Sequence, residues 1–361
     1  MENAEGCECV AGATRTSIVS FRTVSRVLDC DGMKNEDAVT QDKKAVLLLV
    51  FNRPDHTSRV IEAIKKYQPR KLYISGDGPR RGNSLDSERC HQVRQLVEGL
   101  KTSFPIEVQL SEENRGCRKA VVTGIDWFFG HEEDGIILED DCLPTESFFH
   151  VSEVLLDRLR DEEKVWGVGG SNFAGATLSK PEYSYGFTSY PMTWGWATWR
   201  NRWLHYDREL STWPPSRLKT PGFHWNNWRE RFVFTTLLHR LTRKNIPDTW
   251  DYQWIWTVLS RGGAWVWMRD NLIENIGFGP EATHTTWEDS PHNRQTVEIC
   301  EVVHPNRIEI DPNLDFQILT SMFGMEETFF QWLRAKIRNV IRKAGRNLIR
   351  PVARKFSGSR K

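Results

Sequence analysis

Residues 135–149 read GIILEDDCLPTESFF. An apolar run, Ile136-Ile137-Leu138, ends in three adjacent carboxylates, Glu139, Asp140 and Asp141. Like charges at the end of a buried strand repel one another and resist desolvation. A cation relieves both. Adjacent carboxylates at a strand end offer hard oxygen ligands and leave positions open for phosphates, which suits Mg²⁺ or Mn²⁺. The plainer reading is a strand-to-helix turn whose acids cap helix termini or pair with arginines. On this stretch alone the two readings stand level.

Other residues with chemistry to offer follow other strand patterns. FNRPDH (51–56) carries Arg53, SGDGPRRG (75–82) carries Asp77, and SEENRGCRK (111–119) carries Arg115 and Arg118. Arginine suits phosphate oxygens because its planar fork binds them in pairs. Asp251, in TWDYQW, stands among aromatic residues, a setting that disfavours the charged carboxylate and raises its basicity. A capping aspartate at the start of the helix DYQWIWTVLSRGG explains it equally well. His284, in GFGPEATHTTW, follows the strand pattern NLIENIGFG and is a candidate second metal or phosphate contact.

These residues need a scaffold that gathers strand ends. From Lys44 the chain alternates strand and helix patterns. Strands are expected at 44–51, 71–75, 106–110, 135–138 and 165–170. Helices are expected at 57–67, 84–103, 118–129 and 146–159, the last capped by Thr145. Repeated βα units predict an α/β fold with a mainly parallel central sheet covered on both faces. In such sheets ligands sit beyond the carboxyl ends of the strands, where FNRPDH, SGDGPRRG, SEENRGCRK and EDDC fall.

Composition then shifts. Residues 192–267 hold 12 of the 16 tryptophans. Most are expected in the core, with some as platforms for sugar rings. The division expected is a polar leader at 1–42, a first subdomain at 43–170, a Trp-rich one at 171–300 and an extension at 301–361.

Charge is balanced overall, 49 Lys/Arg against 48 Asp/Glu, so no field points to nucleic acid. The tail is different: residues 328–361 hold 11 Lys/Arg and no acid, leaving 38 basic against 48 acidic residues, a net of −10, before them. Apolar residues at helical spacing over 329–350 predict a basic amphipathic helix, lying on an anionic membrane surface or packed on the acidic body. The seven cysteines are scattered without zinc spacing. With no apolar leader core, that predicts a cytoplasmic protein peripheral to the membrane. No GxxxxGK[ST] or credible GxGxxG is present, which argues against a P-loop kinase or a dinucleotide-binding dehydrogenase.

Taken together the segments resemble the GT-A glycosyltransferases, and within them the α-mannoside β-1,2 N-acetylglucosaminyltransferase family with its bacterial nucleotide-diphospho-sugar transferase relatives. VLLLVFNRPDHTSRVIEAI, YISGDG, GIILEDDCLPTESFF, MTWGWATWRNRW, TWDYQW and NLIENIGFGPEATHT carry the likeness, over about residues 44–290. It implies a Rossmann-like fold with a Trp-rich acceptor subdomain. It also implies roles: Asp141 on the metal, Asp140 on the ribose, Glu139 on the donor sugar, Arg53 and Asp77 on the nucleotide, and Asp251 as general base. The family's His-Tyr-Arg step is Gly116-Cys117-Arg118 here, so a histidine contact to the base is missing. One acid stands in TWDYQW where the family has two. The family's Golgi anchor is absent too, which argues against an N-glycan acceptor.

The expectation is thus a metal-dependent inverting glycosyltransferase with a nucleotide-diphosphate sugar donor, UDP-linked, acting on a glycan or lipid-linked acceptor in surface polysaccharide assembly. Arg118 is a candidate for a further phosphate contact. A sugar nucleotidyltransferase would need a glycine-rich first loop, and FNRPDH has no glycine. A non-catalytic carbohydrate-binding protein would work through the tryptophans alone.

Overall fold

A strand that is apolar along its whole length must be covered on both faces. Val46–Val50 (β1) is such a strand, buried at every position. The computed structural model describes residues 43–217, 225–226, 228–242, 248–277 and 294–322. Strand β1 pairs in parallel with Leu72–Gly76 (β2) on one side and Asp134–Glu139 (β4) on the other. Ile106–Leu110 (β3) pairs in parallel with β2. The helices between them are Pro54–Tyr67 (α1), Ser84–Glu98 (α2) and Cys117–His131 (α3). Pro54 presets the first turn of α1, and its last turn holds Lys65 and Lys66 against the carbonyl end. After the short strand Cys142–Pro144 (β5), Thr145 accepts a hydrogen bond from the Phe148 amide and so starts Glu146–Arg158 (α4). Val165–Gly169 (β6) follows.

The alternation of side chains sorts the core into layers. Val46, Leu48, Val50, Ile136 and Leu138 face α1, α2 and α4, while Leu47, Leu49 and Ile137 face α3. The architecture read from the sequence, a Rossmann-like α/β fold with a mainly parallel central sheet flanked by helices, is the one observed.

The Trp-rich span continues this sheet. Tyr185–Thr188 (β7), Trp196–Trp199 (β8) and Ala264–Met268 (β9) join it, giving the order β3-β2-β1-β4-β8-β6-β9-β7 among the described residues. Strand β8 runs antiparallel between β4 and β6, with Ala197 opposite both Ile136 and Val168. Its alternation sends Trp199 to the α4 side, where its indole N–H donates to the Leu156 carbonyl at 3.1 Å. Trp196 goes to the opposite face, where Trp203, Trp250, Trp254 and Trp265 surround it. Further helices are Arg200–Trp203 (α5), Trp228–Leu241 (α6), Asp251–Leu259 (α7) and Pro312–Met322 (α8). Ile273–Asn275 (β10) pairs antiparallel with β5. Helices α6, α7 and α8 contribute to a second apolar cluster.

Among the described residues no helix is long and apolar enough to cross a membrane. The leader at 1–42, the basic helix expected at 329–350 and His284 all lie outside the described residues.

Candidate functional site

In the order β3-β2-β1-β4, the chain turns outward on both sides of the gap between β1 and β4. That gap is a topological switch point, where the loops beyond two adjacent strands diverge and leave a crevice. Arg53 follows β1, and the Glu139-Asp140-Asp141 triplet follows β4. Both groups line one cleft of about 1320 Å³.

The geometry gives the triplet a cation. The Arg53 guanidinium donates from Nη1 to Asp141 Oδ2 at 2.6 Å and to Asp140 Oδ1 at 3.3 Å. The other Asp140 oxygen accepts from the Phe51 amide at 3.1 Å. Burial works against the Arg53 charge, but Asp140 and Asp141 outweigh it and raise its pKa. One arginine does not neutralise three acids. Burial, followed by the charge of Asp141, pushes the Asp140 carboxyl up to about 6. Burial and the charges of Asp141, Asp140 and Asp251 raise Glu139 well above the carboxylate range. The described side chains therefore leave an excess of negative charge here.

That excess has a measurable consequence. A carboxyl whose pKa is raised on folding binds its proton more tightly in the folded state, so stability falls as pH climbs from the unfolded pKa to the folded one. For Asp140 that window runs from 3.8 to about 6. A tenfold change in proton affinity is worth about 1.4 kcal/mol. In chelator-containing buffer, Asp140→Asn should therefore gain on the wild type between pH 4 and 7. Urea melts at both pH values test this, and parallel curves for the two proteins would refute it.

The segment after β10 closes over Asp141. The Ile276 amide donates to the Asp141 carbonyl at 2.8 Å, and His56 Nε2 lies 2.8 Å from the Ile276 carbonyl. A Cβ on Gly277 would stand 2.4 Å from Asp141 Oδ2, so only glycine lets this backbone lie against the carboxylate. His56 and Asn275 line the cleft beside it. Neither was singled out from the sequence, although His56 belongs to the same FNRPDH loop as Arg53.

Asp77 lines the cleft beyond β2, and it holds a loop together. Its Oδ1 accepts from the Gly78 and Arg115 amides at 2.9 and 2.8 Å; its Oδ2 accepts from Asn114 Nδ2 and the Gly116 amide at 2.9 and 3.2 Å. Burial raises its pKa against the pull of those donors. Arg118 is half-buried in the first turn of α3, where its charge acts on Tyr206, and it is not among the cleft-lining residues.

Asp251 is the first residue of α7 and is half-buried. Its Oδ1 accepts from the Tyr252 amide at 2.9 Å and from the Thr249 hydroxyl. Its charge reaches Glu139, but among the described residues it does not line the cleft, whereas Asp248 does. Of the tryptophans, Trp194 lines the cleft, packed against Phe173 at 4.4 Å, while Trp196, Trp254, Trp256, Trp265 and Trp267 are fully buried.

Among the described residues no group of three His, Cys, Asp or Glu side chains is arranged to hold a metal. The donor chemistry still fits a hard cation. Mg²⁺ and related ions are commonly held by one or two carboxylates, with substrate phosphates and water completing the shell. Asp141, partly open to the cleft, is placed for that use.

No protein-family model and no curated protein matches the chain. Among solved structures it is similar to a mannosyltransferase, PcManGT from Pyrobaculum calidifontis, in complex with GDP-Man and Mn²⁺. The match has 11% identity, a TM-score of 0.31, and covers 62% of this chain and 70% of that one.

Proposed function

We propose that this protein is a metal-dependent glycosyltransferase that takes a sugar from a nucleotide-diphosphate donor. The observation that carries this reading is the meeting of Arg53 with Asp140 and Asp141 at the switch point between β1 and β4, inside one large cleft. A cation and excess carboxylate at the carboxyl edge of a parallel sheet suit a diphosphate bound with a divalent metal. When bound, Mg²⁺ or Mn²⁺ supplies a positive charge that stabilises a departing diphosphate. Asp141 would hold it. Arg53 would neutralise phosphate oxygens directly, because it lines the same cleft beside Asp141. Asp140, whose second oxygen is fixed by the Phe51 amide, orients Arg53 and is the acid proposed for the ribose. Glu139, half-buried and raised in pKa, is the acid proposed for the sugar hydroxyls.

In the inverting mechanism proposed, an acceptor hydroxyl attacks the anomeric carbon from the face opposite the diphosphate while a carboxylate takes its proton. The donor proposed is UDP-linked and the acceptor a glycan or lipid-linked sugar. Asp77 supports the nucleotide subsite by holding residues 114–116 against the end of β2.

A thermal-shift screen of UDP- and GDP-linked sugars, with and without Mn²⁺, tests the reading. A ligand present at 100 times its Kd adds about 2.7 kcal/mol to stability. A shift that needs both the nucleotide sugar and Mn²⁺ is expected. No shift with any donor would remove the proposal.

A further inference from the structure

Thr249 and Asp251 hold one turn, and that turn carries a carboxylate into the cleft. The Thr249 hydroxyl donates to Asp251 Oδ1, which also accepts from the Tyr252 amide at 2.9 Å. That oxygen of Asp251 is thus held by the first turn of α7. Asp248, just ahead of that turn, is exposed, lines the cleft, and accepts no hydrogen bond among the described residues.

Gly116 lies against it. The amide of Gly116 donates to Asp77 Oδ2 at 3.2 Å, which fixes the loop to the end of β2. Its φ is +82°, in the region that favours glycine. A Cβ there would lie 2.3 Å from Asp248 Oδ2, so the missing side chain is the space the carboxylate occupies. Asp248 therefore meets the wall formed by the β3–α3 loop and the start of α3, while the phosphate-side groups Arg53 and Asp141 stand on the β1 and β4 ends of the same cleft.

Building on the glycosyltransferase reading, we propose that Asp248 is the catalytic proton acceptor and that Asp251 is a positioning residue that fixes the turn carrying it. As the acceptor oxygen bonds to the anomeric carbon, its proton passes to the Asp248 carboxylate. The bond from that carbon to the diphosphate oxygen breaks, and its electron pair leaves with the nucleotide diphosphate. Arg53 meets the negative charge so formed. Protonated Asp248 then returns its proton to water. A base in this place can be exposed in the free protein, because the acceptor itself would cover it.

The test needs no known acceptor, since water can take that role. Nucleotide sugars bound with Mn²⁺ are first found by calorimetry, and release of free sugar from the tightest of them is followed for each variant. Asp248→Asn should fold normally, bind donor within about twofold of wild type and lose about 10²-fold or more in kcat, the scale of a lost general base. Asp251→Asn should fall less, by about tenfold, with donor affinity kept. If Asp248→Asn turns over within threefold of wild type, or if it loses donor binding, the assignment is overturned while the glycosyltransferase reading stands. Donor binding with no hydrolysis in the wild type also overturns it, because a carboxylate poised there activates water. If no nucleotide sugar binds at all, both readings fail together.

Discussion

Asp141→Asn is expected to abolish Mn²⁺-dependent donor binding and to leave the fold intact or slightly more stable. The two outcomes have one cause. Asp141 adds its negative charge to a strand end where Glu139 and Asp140 are already raised in pKa, in part by Asp141 itself. Asparagine keeps the side chain's shape and its carbonyl oxygen toward Arg53 but removes that charge. In the metal-free protein the repulsion falls, so the melting temperature should hold or rise. With metal and donor the balance reverses, because a neutral amide is a far poorer ligand for a hard cation. Losing an outer-shell partner of a metal ligand typically costs 10–100-fold in affinity, so losing a ligating carboxylate should cost at least about 100-fold. Calorimetry with the donor found by the thermal-shift screen measures the loss. Chelator added to the wild type should reproduce it. Unchanged affinity in Asp141→Asn would mean that the carboxylate serves only to pair with Arg53, as in a plain strand-to-helix turn.

That ambiguity shows where sequence reading stops. The first half of the sheet was legible because its strands are short, mostly apolar runs bounded by polar turns. VLLLV, LYISG and GIIL each give β1, β2 and β4 within a residue or two. The placement of Arg53 and the triplet on one edge followed from the βα order alone. The second half was not legible for the same reason in reverse. MTWGWATWRNRW carries large aromatic residues at irregular spacing, and its strand β8 is only four residues long and antiparallel. Its role as the link between β4 and β6 depends on partners about 30 to 60 residues away in the chain, which no local pattern contains. Asp77 differs again. A lone aspartate after a strand reads as a ligand contact, and only the fold shows that it also accepts from four donors of neighbouring loops. Asp248 was legible only as a neighbour of Asp251, since the space that receives it comes from Gly116, far earlier in the chain.

Trp196→Ala should be the most destabilising single change in the sheet's second half. Trp196 is 1% exposed on the central strand β8. It stacks on Trp250 with centroids 5.8 Å apart and an interplanar angle of 24°, and it contacts Trp265 at 5.8 Å, Trp254 at 6.0 Å and Trp203 at 6.2 Å. Truncating a buried tryptophan usually costs about 3–5 kcal/mol, through lost transfer energy and the cavity left behind. Each aromatic pair adds about 0.5–1.5 kcal/mol beyond burial, so the upper end applies. These rings cannot close the gap, because Trp196 sits on a strand hydrogen-bonded on both sides to β4 and β6. At about 2–4 °C per kcal/mol for a domain of 150–250 residues, a cost near 5 kcal/mol should drop the melting temperature by roughly 10–20 °C. Trp228→Ala is the control: that residue is 61% exposed, and its loss should cost about 0.5 kcal/mol. Urea unfolding of both variants decides the point, and a cost below about 1 kcal/mol for Trp196→Ala would show that the cluster is not a rigid core. The effect should reach the cleft as well. Trp250, stacked on Trp196, lies between Thr249 and Asp251 in the turn that follows Asp248, so the loss of Trp196 removes a support of that turn. At temperatures where the variant is still folded, its turnover should already be reduced while its Mn²⁺-dependent donor affinity, set on β1 and β4, is kept.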